Sequence, residues 1–336
     1  MNTLTEKLKY ILADHTNVLI LTHNDPDPDA IATAVGLSYL LKERLSIDSK
    51  IAYGGHIGRV ENKALVGYLK NPLRQLRRAD LREANKIALV DTQPGTGNNP
   101  LPSHRNADIV IDHHNWSPTS AEAVFVDVRP EIGASSTILT EYLQEAGLNP
   151  PTDIATALFY GIKTDTMGLS RKASSADVSA YFYLQPKIDV NALVQIEQAQ
   201  VLPEYFRRID DAIHAVRIYA EDVIIVYLGP LPYPDVSAEI ADLFLRLRGI
   251  RWVLCMGVYE DELILSVRSR NKKFGAGDIV QDIIKGRGTA GGHGIMAAGH
   301  INLIKGEDPE LLASELEKKA LVYLKKTEDV AWKPLI

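Results

Sequence analysis

The chain has 336 residues, 46% of them hydrophobic and 24% charged: enough apolar material for two folded domains and too much for a disordered chain. A formal net charge of -6 argues against a protein that coats long duplex DNA, because that work favours a basic surface. The single cysteine, Cys255, excludes an intrachain disulfide and a thiolate metal cluster, and its setting in WVLCMGV reads as a buried core thiol.

Residues 4–13 open with a helical apolar pattern. The first residues lack the basic, apolar and small-residue succession of a signal peptide, and no apolar run reaches the length of a membrane span. A cytoplasmic protein with no membrane partner is the expectation. NVLILT (17–22) reads as a buried strand, AIATAVGLSYLLKERL (30–45) as a helix and SKIAYG (49–54) as a second strand. KIALVD (86–91), ADIVID (107–112) and AVFVD (123–127) are three more strands, with helical patterns at 136–147 and 153–163. Short continuous runs of Ile, Val and Leu mark strands covered on both faces, hence a parallel sheet. Residues 187–220 read as an amphipathic helical linker. Beyond it lie a strand (222–229), a helix (236–247), strands at 250–259 and 262–269 and a closing helix from Pro309. The expected fold is α/β. A Rossmann-like parallel-sheet domain (1–186) is joined by the helical linker to a smaller mixed α/β C-terminal domain (221–336).

The stretch LTHNDPDPDAIATAVGL places His23, Asp25, Asp27 and Asp29 directly after the first strand. Asp91 ends another strand; Asp112, His113 and His114 end a third; Asp165 closes a helical run. In an open parallel sheet ligands bind at the carboxyl ends of the strands, so these groups share one edge. Crowded carboxylates raise each other's pKa, and a divalent cation removes the conflict. Oxygen and imidazole donors without thiolate suit Mn²⁺, with Mg²⁺ or Fe²⁺ as alternatives. The number of ligands fits two ions, with Asp91 as the bridge. Asp29 as N-cap of a helix from Ala30 would explain one aspartate, not the set. An EF-hand fails because its sixth position is Ala30 and its twelfth is Gly36, and a zincin fails because H-E-x-x-H is absent.

H-x-x-P-D-x-D-A at 23–30, the strand-ending Asp91 and Asp-His-His at 112–114 resemble the DHH phosphoesterase superfamily. GTAGGHGIMAAG (288–299) is similar to the Gly-Gly-His segment of the DHH-associated C-terminal domain, and the whole resembles the nanoRNase/pAp-phosphatase branch. The resemblance implies that His23, Asp27 and Asp91 hold one Mn²⁺, and that Asp29, Asp91, His113 and Asp165 hold a second. It implies that His114 faces the scissile phosphate, and that Asp112 orients a histidine from behind. Ala32 and Thr33 stand where the family often has Gly-Ser. Asp25 falls where the family fixes no residue and reads as solvated. Metal-activated water would attack phosphorus in line with the leaving oxygen.

Arg268, Arg270, Lys272, Lys273, Lys285 and Arg287 form a basic stretch around the glycines. The resemblance places Arg268 on a substrate phosphate, and Gly291, Gly292 and His293 on the nucleotide, with Arg270 beside them. Arg59 and Asn62 are candidates to reach a phosphate, although such residues more often brace a loop. GRGTAG (286–291) matches G-x-G-x-x-G but follows a helical run, so it is read as accidental. His15, His56, His104 and His214 read as surface or structural residues, His300 as a strand residue and Trp116 as a packed aromatic. The expected partner is a short single-stranded oligonucleotide or small nucleotide, with a homodimer as an open question. Alternatives are a pyrophosphatase or exopolyphosphatase, or a nucleotide-binding regulator without hydrolysis.

Overall fold

The computed structural model describes residues 4–12, 17–270, 275–326 and 330–336; His15, Lys272, Lys273 and the side chain of His293 lie outside the described part. The chain forms two compact units, Met1–Gln200 and Val201–Ile336.

The first unit runs α1 (Leu4–Ile11), β1 (Asn17–Leu21), α2 (Pro28–Leu45), β2 (Asp48–Tyr53), α3 (Val60–Tyr68), β3 (Leu73–Gln75) and α4 (Arg78–Glu83). It continues with β4 (Lys86–Val90), β5 (Ile109–Asp112), β6 (Phe125–Val128), α5 (Ser135–Glu145), α6 (Thr152–Asp165), α7 (Ser175–Leu184) and α8 (Val190–Glu197). The six strands form one sheet in the order β3-β2-β1-β4-β5-β6, with every pairing parallel. The apolar strand runs are explained by burial on both faces. In β1, Val18 and Ile20 join the core under the helices, while Leu19 and Leu21 join a second core on the opposite face. Strand order reverses between β1 and β4, and a crevice opens beyond the carboxyl ends at such a switch point.

Helix α2 begins two residues earlier than its apolar pattern suggested. Asp27, not Asp29, is its N-cap, accepting from the Ala30 N–H at 3.0 Å, and Pro28 occupies the first helical position, where its missing donor costs nothing. Asp29 is thereby turned inward and fully buried. Gly161 on α6 allows that helix to approach α2 and α5. A Cβ there would stand 2.4 Å from Ser136 Oγ and 3.0 Å from Asp29 Cα.

The second unit contains α9 (Pro203–Ala215), β7 (Arg217–Tyr219), β8 (Val223–Pro230), α10 (Val236–Phe244), β9 (Trp252–Tyr259) and β10 (Glu262–Ser269). There follow α11 (Ala276–Ile283), β11 (Thr289–His293), β12 (Met296–Asn302), α12 (Pro309–Tyr323) and β13 (Trp332–Lys333). Its seven-stranded sheet, β11-β12-β10-β9-β8-β7-β13, is mixed, with β8 and β9 parallel and the other pairs antiparallel. Alternate residues of β8 feed two cores: Val223 and Ile225 face one, Ile224 and Val226 the other. Cys255 is buried in the second of these, and burial pushes its thiol up, as a core thiol requires. The G-x-G-x-x-G match follows α11 and enters β11, the reverse of the strand-then-helix order that a dinucleotide site needs.

Candidate metal centre

Three strand ends and one helix end place the arms of the cluster. His23 and Asp27 follow β1. Asp91 follows β4 in a left-handed conformation (φ 57°), which aspartate tolerates better than most residues. Asp112 ends β5, and His113 and His114 follow it. Asp165 is the last residue of α6. Three overlapping groups result: His23, Asp27 and Asp91; Asp29, His113 and Asp165; and Asp91, His113 and His114. Within each, the facing donor atoms lie within 4.8 Å of one another.

The separations are informative. His23 Nε2 stands 3.7 Å from Asp27 Oδ1 and 3.5 Å from Asp91 Oδ2, and His113 Nε2 stands 3.4 Å from both Asp91 Oδ1 and Asp165 Oδ2. These gaps are longer than hydrogen bonds and short enough for donors that share a cation. His113 Nε2 is buried and has no hydrogen-bond partner among the described residues. A buried ring nitrogen left unpartnered among carboxylates fits a ligand for a cation. The other ring nitrogens fix the tautomers. His23 Nδ1 meets the Asn24 carbonyl at 2.6 Å and His113 Nδ1 meets the Ile132 carbonyl at 3.2 Å. A carbonyl only accepts, so Nδ1 carries the proton and Nε2 is directed to the cluster.

Electrostatics agree. Burial first, and then repulsion from neighbouring aspartates, push the carboxyls of Asp29 and Asp165 well above the usual range. Burial opposes charge on His23, but the nearby carboxylates of Asp27 and Asp91 outweigh it and raise the ring. Burial lowers His113. For His114, burial is outweighed by the hydrogen bond to Asp112 and the charges of Asp91 and Asp112, which raise it to about 9. The side chains of His114 and Asp27 are 39% and 42% exposed while Asp29, Asp91 and Asp112 are buried, so the cluster opens on the His114–Asp27 side.

Sequence reasoning missed several supports. The backbone N–H groups of Ser135 and Ser136, at the start of α5, donate to Asp29 at 2.6 and 2.8 Å, and Ser135 Oγ donates to Asp91 Oδ1 at 2.8 Å. Backbone donors leave no mark in a sequence, and Ala134, the N-cap residue of α5, has no side-chain cap to betray the helix start. Asp177, buried, accepts from Gly133 N, Thr137 Oγ1 and Ser174, tying α7 to the start of α5. Asp25 is not merely solvated: its Oδ1 accepts from the His56 N–H at 2.6 Å and braces the loop after β2. Asn62 is buried and donates to the Pro26 carbonyl at 3.3 Å, which makes it a brace as well. Arg59 occupies the N-cap position of α3, without a side-chain capping bond. Trp116, expected to pack, is 52% exposed.

In the second unit Arg268 is buried. Its Nε donates to Asp242 at 2.5 Å and its Nη1 to its own strand at Val267 O. Arg270 is exposed and donates twice to the Leu245 carbonyl beyond α10. Arg287 pairs with Glu307. Gly291 and Gly292 are exposed on β11, where a Cβ on Gly292 (φ 138°) would lie 2.4 Å from Ala297 Cα. His300 lies on β12 beside Glu262.

An all-parallel α/β unit with a carboxylate and imidazole cluster at its switch point has the architecture of a ligand-binding α/β domain whose donor set suits divalent cations. Residues 17–162, within the first unit, match the DHH family, N-terminal domain. The chain is 39% identical over 287 residues to an uncharacterized protein of Methanocaldococcus jannaschii, covering 85% of this chain and 58% of that protein. A probable manganese-dependent inorganic pyrophosphatase of Streptococcus equi subsp. zooepidemicus is 26% identical over 168 residues, covering 48% of this chain and 52% of that protein. The chain thus spans little more than half the length of these relatives. An exopolyphosphatase-related protein from Bacteroides fragilis has the same fold, with TM-score 0.74 over 95% of both chains at 17% identity. No helix among the described residues is long and apolar enough to cross a membrane.

Proposed function

We propose that this protein is a divalent-metal-dependent phosphoesterase acting on short single-stranded oligonucleotides or on small pAp-like nucleotides. The observation that carries the reading is the gathering of seven imidazole and carboxylate side chains into three overlapping groups, with the buried Nε2 of His113 orphaned among them. His23, Asp27 and Asp91 would hold one ion, and Asp29, Asp91, His113 and Asp165 a second. Mn²⁺ is favoured by the donor set and by the printed names of the pyrophosphatase relatives. When bound, the ions supply Lewis acidity toward a phosphoryl oxygen and lower the pKa of water. The protein's own residues do the rest. Asp112 holds His114 by Nδ1 at 2.8 Å, which turns the other ring nitrogen away from Asp112 and toward the open side, where it donates to a phosphoryl or leaving oxygen. Ser135 and Ser136 hold Asp91 and Asp29 in place.

Two features support a base-bearing substrate. The glycine strand β11 exposes backbone at Gly291 and Gly292, with His293 at its end, in the unit that the sequence likens to a DHH-associated nucleotide-binding domain. Trp116 displays an indole two residues beyond His114. A second reading, hydrolysis of pyrophosphate or polyphosphate, is favoured by the name of the streptococcal relative. The test is hydrolysis by the Mn²⁺-loaded protein of a two-nucleotide RNA, pAp, a cyclic dinucleotide and pyrophosphate. A higher kcat/KM on dinucleotide or pAp is expected. Preference for pyrophosphate overturns the substrate assignment, and inactivity on all four with tight nucleotide binding overturns the enzyme reading.

A further inference from the structure

Gln93 lies two residues past Asp91, is 1% exposed, and is fully engaged through its side chain. Its Oε1 accepts from the Ser117 N–H at 2.7 Å and from Ser120 Oγ at 2.8 Å. Its Nε2 donates to Asp112 Oδ2 at 2.6 Å and to the Asn115 carbonyl at 2.9 Å. The orientation of the carboxamide follows from the partners' chemistry. The Ser117 N–H can only donate, and the Asn115 carbonyl and Asp112 carboxylate can only accept, so a flipped amide would face a donor with a donor and two acceptors with an acceptor.

Asp112 is buried and its two oxygens have different duties. Oδ1 receives the His113 N–H at 2.9 Å and His114 Nδ1 at 2.8 Å, while Oδ2 receives the Gln93 amide. Without that amide, Oδ2 loses its side-chain donor and the carboxylate can rotate about χ2, taking Oδ1 away from His114. The same carboxamide grips the chain at 115 and 117, immediately after His114. The loop that carries Gln93 is itself tied down. Asn99 Nδ2 donates to the Gln93 carbonyl at 2.8 Å, and Thr96 Oγ1 donates to the same oxygen at 2.7 Å. Nothing in the requirement for metal ligands calls for a glutamine here; the geometry assigns it a different task.

We propose that Gln93 is the positioning residue of the His114 proton donor: through Asp112 it sets the direction of the His114 ring, and through Asn115 and Ser117 it fixes the backbone that carries the ring. This rests on the role given to His114 in the phosphoesterase reading. Gln93 touches no substrate. Loss of such a support behind a functional histidine typically costs 10–100-fold.

Gln93→Glu tests this, since it keeps size and the acceptor toward Ser117 and Ser120 but replaces the donor facing Asp112. Ser120→Ala is the milder companion, loosening one anchor, and keeps the test open if Gln93→Glu folds poorly. On the best phosphoester substrate of the panel, kcat is expected to fall roughly tenfold or more for Gln93→Glu with KM within about twofold, and less for Ser120→Ala. In a His114→Ala background the same changes are expected to cost nothing further, because the residue they act through is gone. Equal losses in both backgrounds would show a merely structural role and overturn the proposal. A second readout needs neither metal nor turnover. In ¹⁵N-histidine-labelled, metal-free protein, the hydrogen-bonded Nδ1–H resonance that His114→Ala removes should shift or broaden in Gln93→Glu. An unchanged resonance refutes the assignment even if the protein hydrolyses none of the four compounds. Full activity of His114→Ala, by contrast, would refute the role of His114 while this resonance still decides the role of Gln93.

Discussion

Asp165→Asn offers the sharpest perturbation because stability and activity should move in opposite directions. Asp165 and Asp29 present carboxylate oxygens within 4.8 Å of each other, and both carboxyls are pushed up by burial and by like charge. Two unit charges at that separation repel by about 3 kcal/mol at an effective dielectric of about 20. Asp165 also stands at the C-terminal end of α6, where negative charge opposes the helix dipole by roughly 0.3–1 kcal/mol. Against this stands the lost attraction to Arg171. Asn keeps the shape and removes the charge, so metal-free Asp165→Asn should be more stable than wild type by about 1–3 kcal/mol, or several degrees in Tm for a unit of this size. The Mn²⁺-induced rise in Tm should shrink, and phosphoester hydrolysis should fall by about two orders of magnitude or more. The assay is thermal melting after chelation, with and without Mn²⁺, beside turnover. A metal-free variant less stable than wild type would show that these carboxylates do not repel, and an unchanged Mn²⁺ response would remove Asp165 from the ion site.

The raised carboxyls also set a pH dependence. For Asp29 and Asp165 the folded pKa exceeds the ordinary value near 4, so the folded state holds protons that the unfolded chain releases; His23, raised above its ordinary 6.5, acts in the same sense. Metal-free Tm should therefore rise as pH falls from 8 toward 5, with lowered His113 opposing below about 6.5, whereas calorimetric Mn²⁺ affinity should rise with pH as binding expels those protons; a pH-independent affinity would contradict the ligand set. Gly161→Ala should push α6 away from Ser136 and Asp29, lowering Tm by an amount equivalent to about 1–3 kcal/mol and weakening Mn²⁺ binding in the same titration. Trp116→Ala should raise KM for the two-nucleotide RNA roughly 5–100-fold, matching about 1–3 kcal/mol per stacked base, while leaving pyrophosphate turnover unchanged; equal effects on both substrates would deny the indole a part in recognition.

The sheet and the carboxylate and imidazole cluster were legible because both write themselves into side chains. Strands β1, β4 and β5 are buried on two faces and so appear as apolar runs, and the charges that end them stand out by contrast. What the sequence hid was geometry carried by the backbone or by single polar residues. Asp27 rather than Asp29 caps α2 because Pro28 starts the helix, a shift that turns Asp29 from a surface cap into a buried member of the cluster. Gln93, Ser135 and Asp177 sit in stretches with no pattern of their own, and their importance lies in partners 19 to 44 positions away. Trp116 was misjudged because an aromatic is usually interior, and only the fixed loop around it holds it out in solvent. Arg268 shows the reverse: a cation that reads as waiting for an anion already has Asp242 as its counter-charge.

The residues of the cluster, from His23 to Asp165, all belong to the first unit, and the second unit has hydrophobic cores of its own. On the proposed function, chemistry and substrate choice would be written on separable stretches of one polypeptide. Sequence drift in the later stretch could redirect such a protein to a new phosphorus compound without disturbing a single charge around the ions. The earlier stretch has no such latitude, since four short segments must close together before any ion can be captured.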